Sequence, residues 1–267
     1  MRYKVLCSDL DGTLLSTKND VSDFTVSQIS RIKHAMRILL VSARMPRSMT
    51  YLQRRMGIEH EPLICYNGAL IWEDGKELTS TEIPLSDVSE IYRMAEKRGI
   101  GLGLYRSNEW YVEDNTTRVR KEIHHTQATP VFRPTPDTLE DWGQRNIGAH
   151  KLMLMGTQDT IDSIFLELQE YLGTVVQPYR SNDTLIEISP KTVSKLSAIR
   201  AVMAGGHSLE EVIAFGDNYN DIEMLQHVGC GVAVGNAREE VKRIADHITL
   251  ENSEHGVAHF IEQHINI

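Results

Sequence analysis

Cysteine is scarce in this chain: three residues in 267, Cys7, Cys65 and Cys230, far apart and each set in an apolar stretch. An odd, dispersed set excludes a disulfide framework and predicts reduced core thiols, as in a cytoplasmic protein. No segment approaches the roughly 20 consecutive apolar residues of a membrane span. The opening MRYKVLCSDLDG runs straight into a strand-like stretch without the apolar region of a signal peptide. Neither a membrane partner nor secretion is expected, so the sequons at Asn115 and Asn182 carry no weight. A basic block is missing too. Lys and Arg number 28 against 37 Asp and Glu, a formal charge of −9, and neutralising a phosphate backbone needs clustered cations, so no nucleic-acid partner is expected. Internal repeats and low-complexity tracts are absent, and no feature fixes an oligomeric state.

What is present suits a folded enzyme-sized protein. Hydrophobic residues make up 41% and charged residues 24%, enough apolar surface for a sizeable core. The length exceeds one average domain and suggests a main domain with an insertion. Short apolar runs alternate with helical patterns at both ends of the chain: YKVLCS, RILLVS and VIAFG against residues 22–36, PRSMTYLQRRMG and TVSKLSAIRAVMAGG. Pro46 fits a first helical turn and Gly57 a stop. Strands apolar on both faces predict an α/β fold, a Rossmann-like doubly wound parallel sheet built from residues 1–82 and 189–267. Between them, residues 83–188 change texture. A hairpin turning at Asp74-Gly75 leads up to this block; within it a helix runs from a Ser86 cap to Gly99, and alternating strands flank a Pro-rich loop near residues 129–137. This block reads as an inserted α+β domain of typical small size.

In a parallel sheet, ligands bind beyond the carboxyl ends of the strands. Residues there include Asp9 and Asp11 after the first run, Ser42 after ILLV, Lys195 at the front of a late helix, and Asp217, Asn220 and Asp221 after VIAF. Singly, each has an ordinary explanation as a turn, a cap, a solvated lysine or an acidic loop. Together they form a pattern. DLDGTLL, VSAR, VSKL and FGDNYNDIEML resemble, in order and rough spacing, the four motifs of the haloacid dehalogenase superfamily, with the nearest likeness to the Cof-like phosphatases. NGALI at 67–71 is similar to that subfamily's junction into its cap, which makes 83–188 the cap domain.

The resemblance implies a Mg²⁺-dependent phosphatase acting on small phosphorylated metabolites, sugar phosphates first among them. Two nearby carboxylates stay ionised cheaply only with a cation between them, or else one holds a proton. On the family pattern Mg²⁺ takes the Asp9 carboxylate, the Asp11 main-chain carbonyl and Asp217. Asp9 is then the nucleophile that forms an aspartyl-phosphate, and Asp11 the general acid and base. Ser42, the N–H groups of Ala43 and Leu10, Lys195 and Asn220 serve the phosphate, and Asp221 orients Lys195 or a bound water. The chain departs from the family in carrying Ser42-Ala43-Arg44 for Thr-Gly-Arg, and Thr192 and Leu196 for the glycines near the motif lysine. Lys191 is the alternative to Lys195. A phosphate-binding regulator without catalysis and a phosphomutase are the competing functions.

Other constellations fail on their residues. A calcium loop from Asp217 has Tyr219, Ile222 and Val228 at its third, sixth and twelfth positions, where an acceptor, Gly and Glu are needed. GCGVAVG at 229–235 has its third glycine one place too late for a dinucleotide fingerprint, and Gly256 replaces the glutamate a His255/His259 zinc motif requires. His124 and His125 read as solvated helix residues, Trp110 and Tyr111 as core.

Overall fold

The computed structural model describes residues 2–17, 19–204 and 206–266. The chain begins β1 (Val5–Ser8), α1 (Asp23–Ile32), β2 (Arg37–Val41), α2 (Arg47–Met56), β3 (Leu63–Cys65), then the hairpin β4 (Leu70–Glu73) and β5 (Lys76–Ser80). It continues α3 (Leu85–Glu96), β6 (Gly101–Arg106), β7 (Glu109–Val112), α4 (Thr117–Thr126), β8 (Val131–Phe132), α5 (Thr135–Arg145), β9 (Lys151–Met155), α6 (Gln158–Leu172), β10 (Val176–Asn182) and β11 (Leu185–Pro190). The last stretch is α7 (Lys195–Met203), β12 (Val212–Gly216), α8 (Ile222–His227), β13 (Cys230–Ala233), α9 (Glu239–Ile244), β14 (His247–Ile248) and α10 (Gly256–His264).

Two compact units result, Met1–Leu78 with Ser194–Ile267, and Thr79–Val193. The first holds a sheet in the order β14-β13-β12-β1-β2-β3-β4-β5. Pairing is parallel from β14 through β3, and β4 turns back antiparallel on β3. The strand order reverses about β1, so the chain winds outward in both directions, as the alternation of apolar runs with helices requires. β1, β3, β12 and β13 are buried along their whole length, which explains why they read as continuous apolar runs rather than alternating ones. All three cysteines are free and buried. The turn between β4 and β5 has φ of +49° at Asp74 and +80° at Gly75, the double positive φ of a tight hairpin.

The second unit holds a sheet ordered β10-β11-β9-β6-β7-β8, antiparallel except for the β7–β8 pair. Alternation sends Leu104, Leu152 and Ile188 to one face, where they join Val88 and Ile91 of α3, Trp142 of α5 and Ile161 and Ile164 of α6 in one apolar cluster. The unit boundaries, Leu78/Thr79 and Val193/Ser194, lie outside residues 83 and 188. The incoming chain is already fastened to this unit there: Ile83 bridges Ala149, and Glu82 accepts the Gly148 N–H at 2.6 Å.

Two local expectations need correction. Ser86 does not cap α3: the helix starts at Leu85, with Pro84 at the N-cap and no side-chain cap, so Ser86 is already inside the first turn. The Pro-rich stretch is not all loop, since Pro136 sits in the first turn of α5 and Val131–Phe132 pairs with β7. Among the described residues, no helix is long and apolar enough to cross a membrane.

Candidate active site

β1 and β12 are neighbours in parallel register, Ser8 opposite Phe215, so the residues that follow them emerge side by side at the carboxyl end of the sheet. The Asp9 N–H donates to Phe215 C=O at 3.0 Å. Past Asp9 the chain forms a wide turn, with Leu14 N–H bonded to Asp9 C=O and Leu15 N–H to Leu10 C=O. Leu10 itself is buried. Gly12 closes the turn at φ +86°, and a Cβ there would stand 2.6 Å from Asp217 Oδ2. The D-x-D-G order therefore reflects both backbone sign and the close approach of a carboxylate from β12.

α7 delivers Lys195. Ser194 caps the helix through a reciprocal pair with Ser197, and the turn before β4 admits it closely: Gly68, at φ +103°, would place a Cβ 2.3 Å from Ser194 C=O. Lys195 is 1% exposed, and its Nζ donates to Asp9 Oδ1 and to Asp221 Oδ1, each at 2.6 Å. The second oxygen of Asp221 accepts the N–H groups of Asp217 and Asn218, both at 3.0 Å. Asp217 Oδ1 accepts the Thr13 hydroxyl at 2.9 Å. Asp9, Asp217 and Asp221 each present an oxygen within 4.8 Å of the others.

Three carboxylates around one ammonium leave an excess of negative charge in a buried place. Burial pushes the Asp9 carboxyl well above its usual range, with Asp221 and Asp217 pushing the same way against the pull of Lys195. Burial, then Asp221, pushes Asp217 up to about 6, while the Thr13 hydroxyl and Lys195 pull it down. Burial alone would favour neutral Lys195, yet Asp221 and Asp9 hold the ammonium above the ordinary lysine range. An all-oxygen, acid-rich donor set of this kind suits a hard divalent cation. Asp221 is committed to three donors, so the carboxylates that fit an ion are Asp9 and Asp217.

The remaining expected residues fall at the same carboxyl end of the sheet with contacts of their own. Ser42 follows β2, is buried, and its Oγ accepts the Arg44 N–H at 3.3 Å; Ala43 lies between them. Asn220 Nδ2 donates to Asn67 Oδ1 at 3.0 Å. Asp11 is not in the carboxylate cluster; Arg44 holds it through two bonds, Nε to Oδ2 at 2.7 Å and Nη2 to Oδ1 at 2.6 Å. Lys191 belongs to the second unit and donates to Gln177. The sequence did not single out Thr13, Asn67 or the pairing role of Arg44, although Thr13 and Arg44 lie inside the motifs themselves and Asn67 begins NGALI. Of the rival constellations, His255 and His259 pack on Phe24, with ring centroids at 6.2 and 4.9 Å, and Trp110 is core.

Comparison with known proteins gives the family. The model of the haloacid dehalogenase-like hydrolases matches residues 6–261. A Haemophilus influenzae protein is 31% identical over 275 residues, covering 98% of each chain. The pyridoxal phosphate phosphatase of Escherichia coli is 27% identical and covers 99% of this chain and 100% of its own. A solved haloacid dehalogenase-like hydrolase from Bacteroides thetaiotaomicron is 30% identical and superposes with a TM-score of 0.88 over 98% of this chain and 99% of its own. With β1 and β12 carrying the acidic pairs to the carboxyl end of the sheet and α7 bringing the lysine between them, the chain belongs to the haloacid dehalogenase-like hydrolase family and is a phosphoric monoester hydrolase.

Proposed function

We propose that this phosphatase hydrolyses small phosphorylated metabolites through an aspartyl-phosphate on Asp9, with Mg²⁺ as its metal. The observation that carries the reading is Lys195 held between Asp9 and Asp221 with Asp217 adjoining. Asp9, Asp217 and the Asp11 main-chain carbonyl would hold the ion, which when bound supplies positive charge that lets an anionic carboxylate approach an anionic phosphoryl group.

The protein's own groups do the rest. An Asp9 oxygen forms a bond to phosphorus as the bond to the leaving oxygen breaks, and that oxygen leaves with the electron pair. Asp11 gives it a proton, then takes one from the water that attacks the aspartyl-phosphate and releases inorganic phosphate. Lys195 stabilises charge on the phosphoryl oxygens while its bond to Asp221 fixes where the ammonium sits. Ser42, the N–H groups of Leu10 and Ala43, and Asn220 hold the remaining phosphoryl oxygens. Substrate choice belongs to the inserted cap, residues 83–188. Sugar phosphates are the first class to test, ahead of nucleotides and phosphorylated cofactors such as the one named for the Escherichia coli relative. The setting we infer is the cytoplasm, where buried free thiols stay reduced.

The test is hydrolysis of 4-nitrophenyl phosphate with and without Mg²⁺. Activity should vanish on chelation, return with Mg²⁺ and release free phosphate. With a sugar phosphate as substrate, product that keeps the phosphoryl group on another hydroxyl would indicate a mutase, and phosphate binding without turnover a regulator.

A further inference from the structure

The geometry points to Arg44 as the positioning residue of the proton-transfer step: its guanidinium fixes the orientation of the Asp11 carboxylate. The inference rests on the proposal that Asp11 serves the leaving group. Arg44 is 4% exposed, whereas the Asp11 side chain is 51% exposed. A buried cation thus turns its planar edge outward and grips both oxygens of a carboxylate that stands largely in solvent. The guanidinium is itself braced: Nη1 donates to Ser48 C=O and to the Tyr51 hydroxyl, each at 3.4 Å, and the Tyr51 hydroxyl donates to Asn19 C=O.

Stability is a small part of what the pair offers, since pairing with a largely solvated acid returns about 1 kcal/mol or less. What the pair supplies is direction. Asp11 lies in a turn with φ −76° and ψ +110°, outside helical geometry, just before the positive φ of Gly12, so its own backbone gives it no neighbouring turn to pack on. Two parallel N–H bonds from a fixed fork leave one orientation of the carboxylate. Reach to a leaving oxygen is sensitive to displacements of about 1 Å, so a side chain that acts on that oxygen gains from being held.

The proton from Asp11 goes to the leaving oxygen as the phosphorus–oxygen bond breaks, and a leaving group that is stable as an anion does not need it. The test is therefore a series of aryl phosphates, 2,4-dinitrophenyl, 4-nitrophenyl and phenyl, with Arg44→Lys, which keeps the charge but loses the fork. We expect kcat/KM, which reports the steps through leaving-group release and not the later hydrolysis of the aspartyl-phosphate, to fall by about 10-fold or more on phenyl phosphate, on the scale of general acid catalysis, and by less than about 3-fold on 2,4-dinitrophenyl phosphate. Asp11→Asn should show the same selectivity, and the double variant should be no worse on phenyl phosphate than Asp11→Asn alone. Tyr51→Phe, which loosens the brace without touching the pair, should shift selectivity the same way by about 2-fold; it carries the test if Arg44→Lys does not fold. A uniform loss of kcat/KM along the series, or additive losses in the double variant, would overturn the role of Arg44. An Asp11→Asn variant without leaving-group selectivity would instead remove the acid/base assignment beneath it.

Discussion

The two units use charge in opposite ways. In the first, Lys195 and Asp221 are sealed from solvent with Asp9 beside them, and the carboxylates outnumber the cation. In the second, ion pairs lie mainly at the surface, such as Arg145 with Glu109 and Asp141, and the fully buried titratable group His150 sits neutral between the Ser107 N–H and the Ser80 hydroxyl. Surface pairs contribute little to stability and a buried excess of one sign works against it. The first unit therefore tolerates an arrangement that stability alone would remove, which is where chemistry is to be sought.

The largest effect should separate the units most sharply. Lys195→Met strands Asp9 and Asp221 in the interior, and we expect a loss of about 3–5 kcal/mol in urea unfolding together with loss of phosphatase activity. Arg145→Ala, which breaks two surface pairs, should cost no more than about 1 kcal/mol. Equal costs would dissolve the contrast.

His150 gives the next effect. Burial first, and Arg106 second, push its imidazole down to about 3, while Glu82 approaches its Nε2 at 3.9 Å. Nδ1 accepts the Ser107 N–H, so the ring proton is on Nε2, facing Ser80. Between about pH 6.5 and 3 the unfolded chain binds a proton that the folded unit refuses, so this contribution to stability is complete above the window and is lost as pH falls through it. The slope is about 1.4 kcal/mol per pH unit. Relative to His150→Gln, the wild type should lose roughly 2 kcal/mol between pH 6.5 and 5, read from urea midpoints. A parallel pH dependence in the two proteins would show that His150 is not buried neutral.

The smallest effect compares two serines that look alike in sequence. Ser194→Ala removes a reciprocal cap from α7 and should cost about 1 kcal/mol. Ser86→Ala, one residue inside α3, should stay within about 0.5 kcal/mol. Thermal melts of both variants suffice, and a larger cost at Ser86 would contradict the helix start at Leu85.

The same contrast explains what was legible in the sequence. Strands buried on both faces leave continuous apolar runs, so the parallel sheet and the positions just beyond β1, β2 and β12 could be read directly. Asp9, Asp11, Ser42, Lys195, Asp217, Asn220 and Asp221 lie in short segments whose order survives folding. Their partnerships do not. That Arg44 would turn to Asp11, Thr13 to Asp217 and Asn67 to Asn220 depends on which strands are neighbours, and sequence spacing does not report that. Ser86 illustrates the opposite failure: local cap chemistry suggested a start that is too late, since the helix has already begun at Leu85. In the second unit the alternating strands were visible, but α5 was masked by the prolines at its start.

The central claim is that Asp9 carries the phosphoryl group. The most direct measurement is acid quench of the enzyme during turnover of a phosphomonoester with Mg²⁺, followed by peptide mass spectrometry. The account expects one added phosphoryl group on the Asp9 carboxylate, absent from Asp9→Asn. Turnover with that label on another residue, or undiminished in Asp9→Asn, would contradict it.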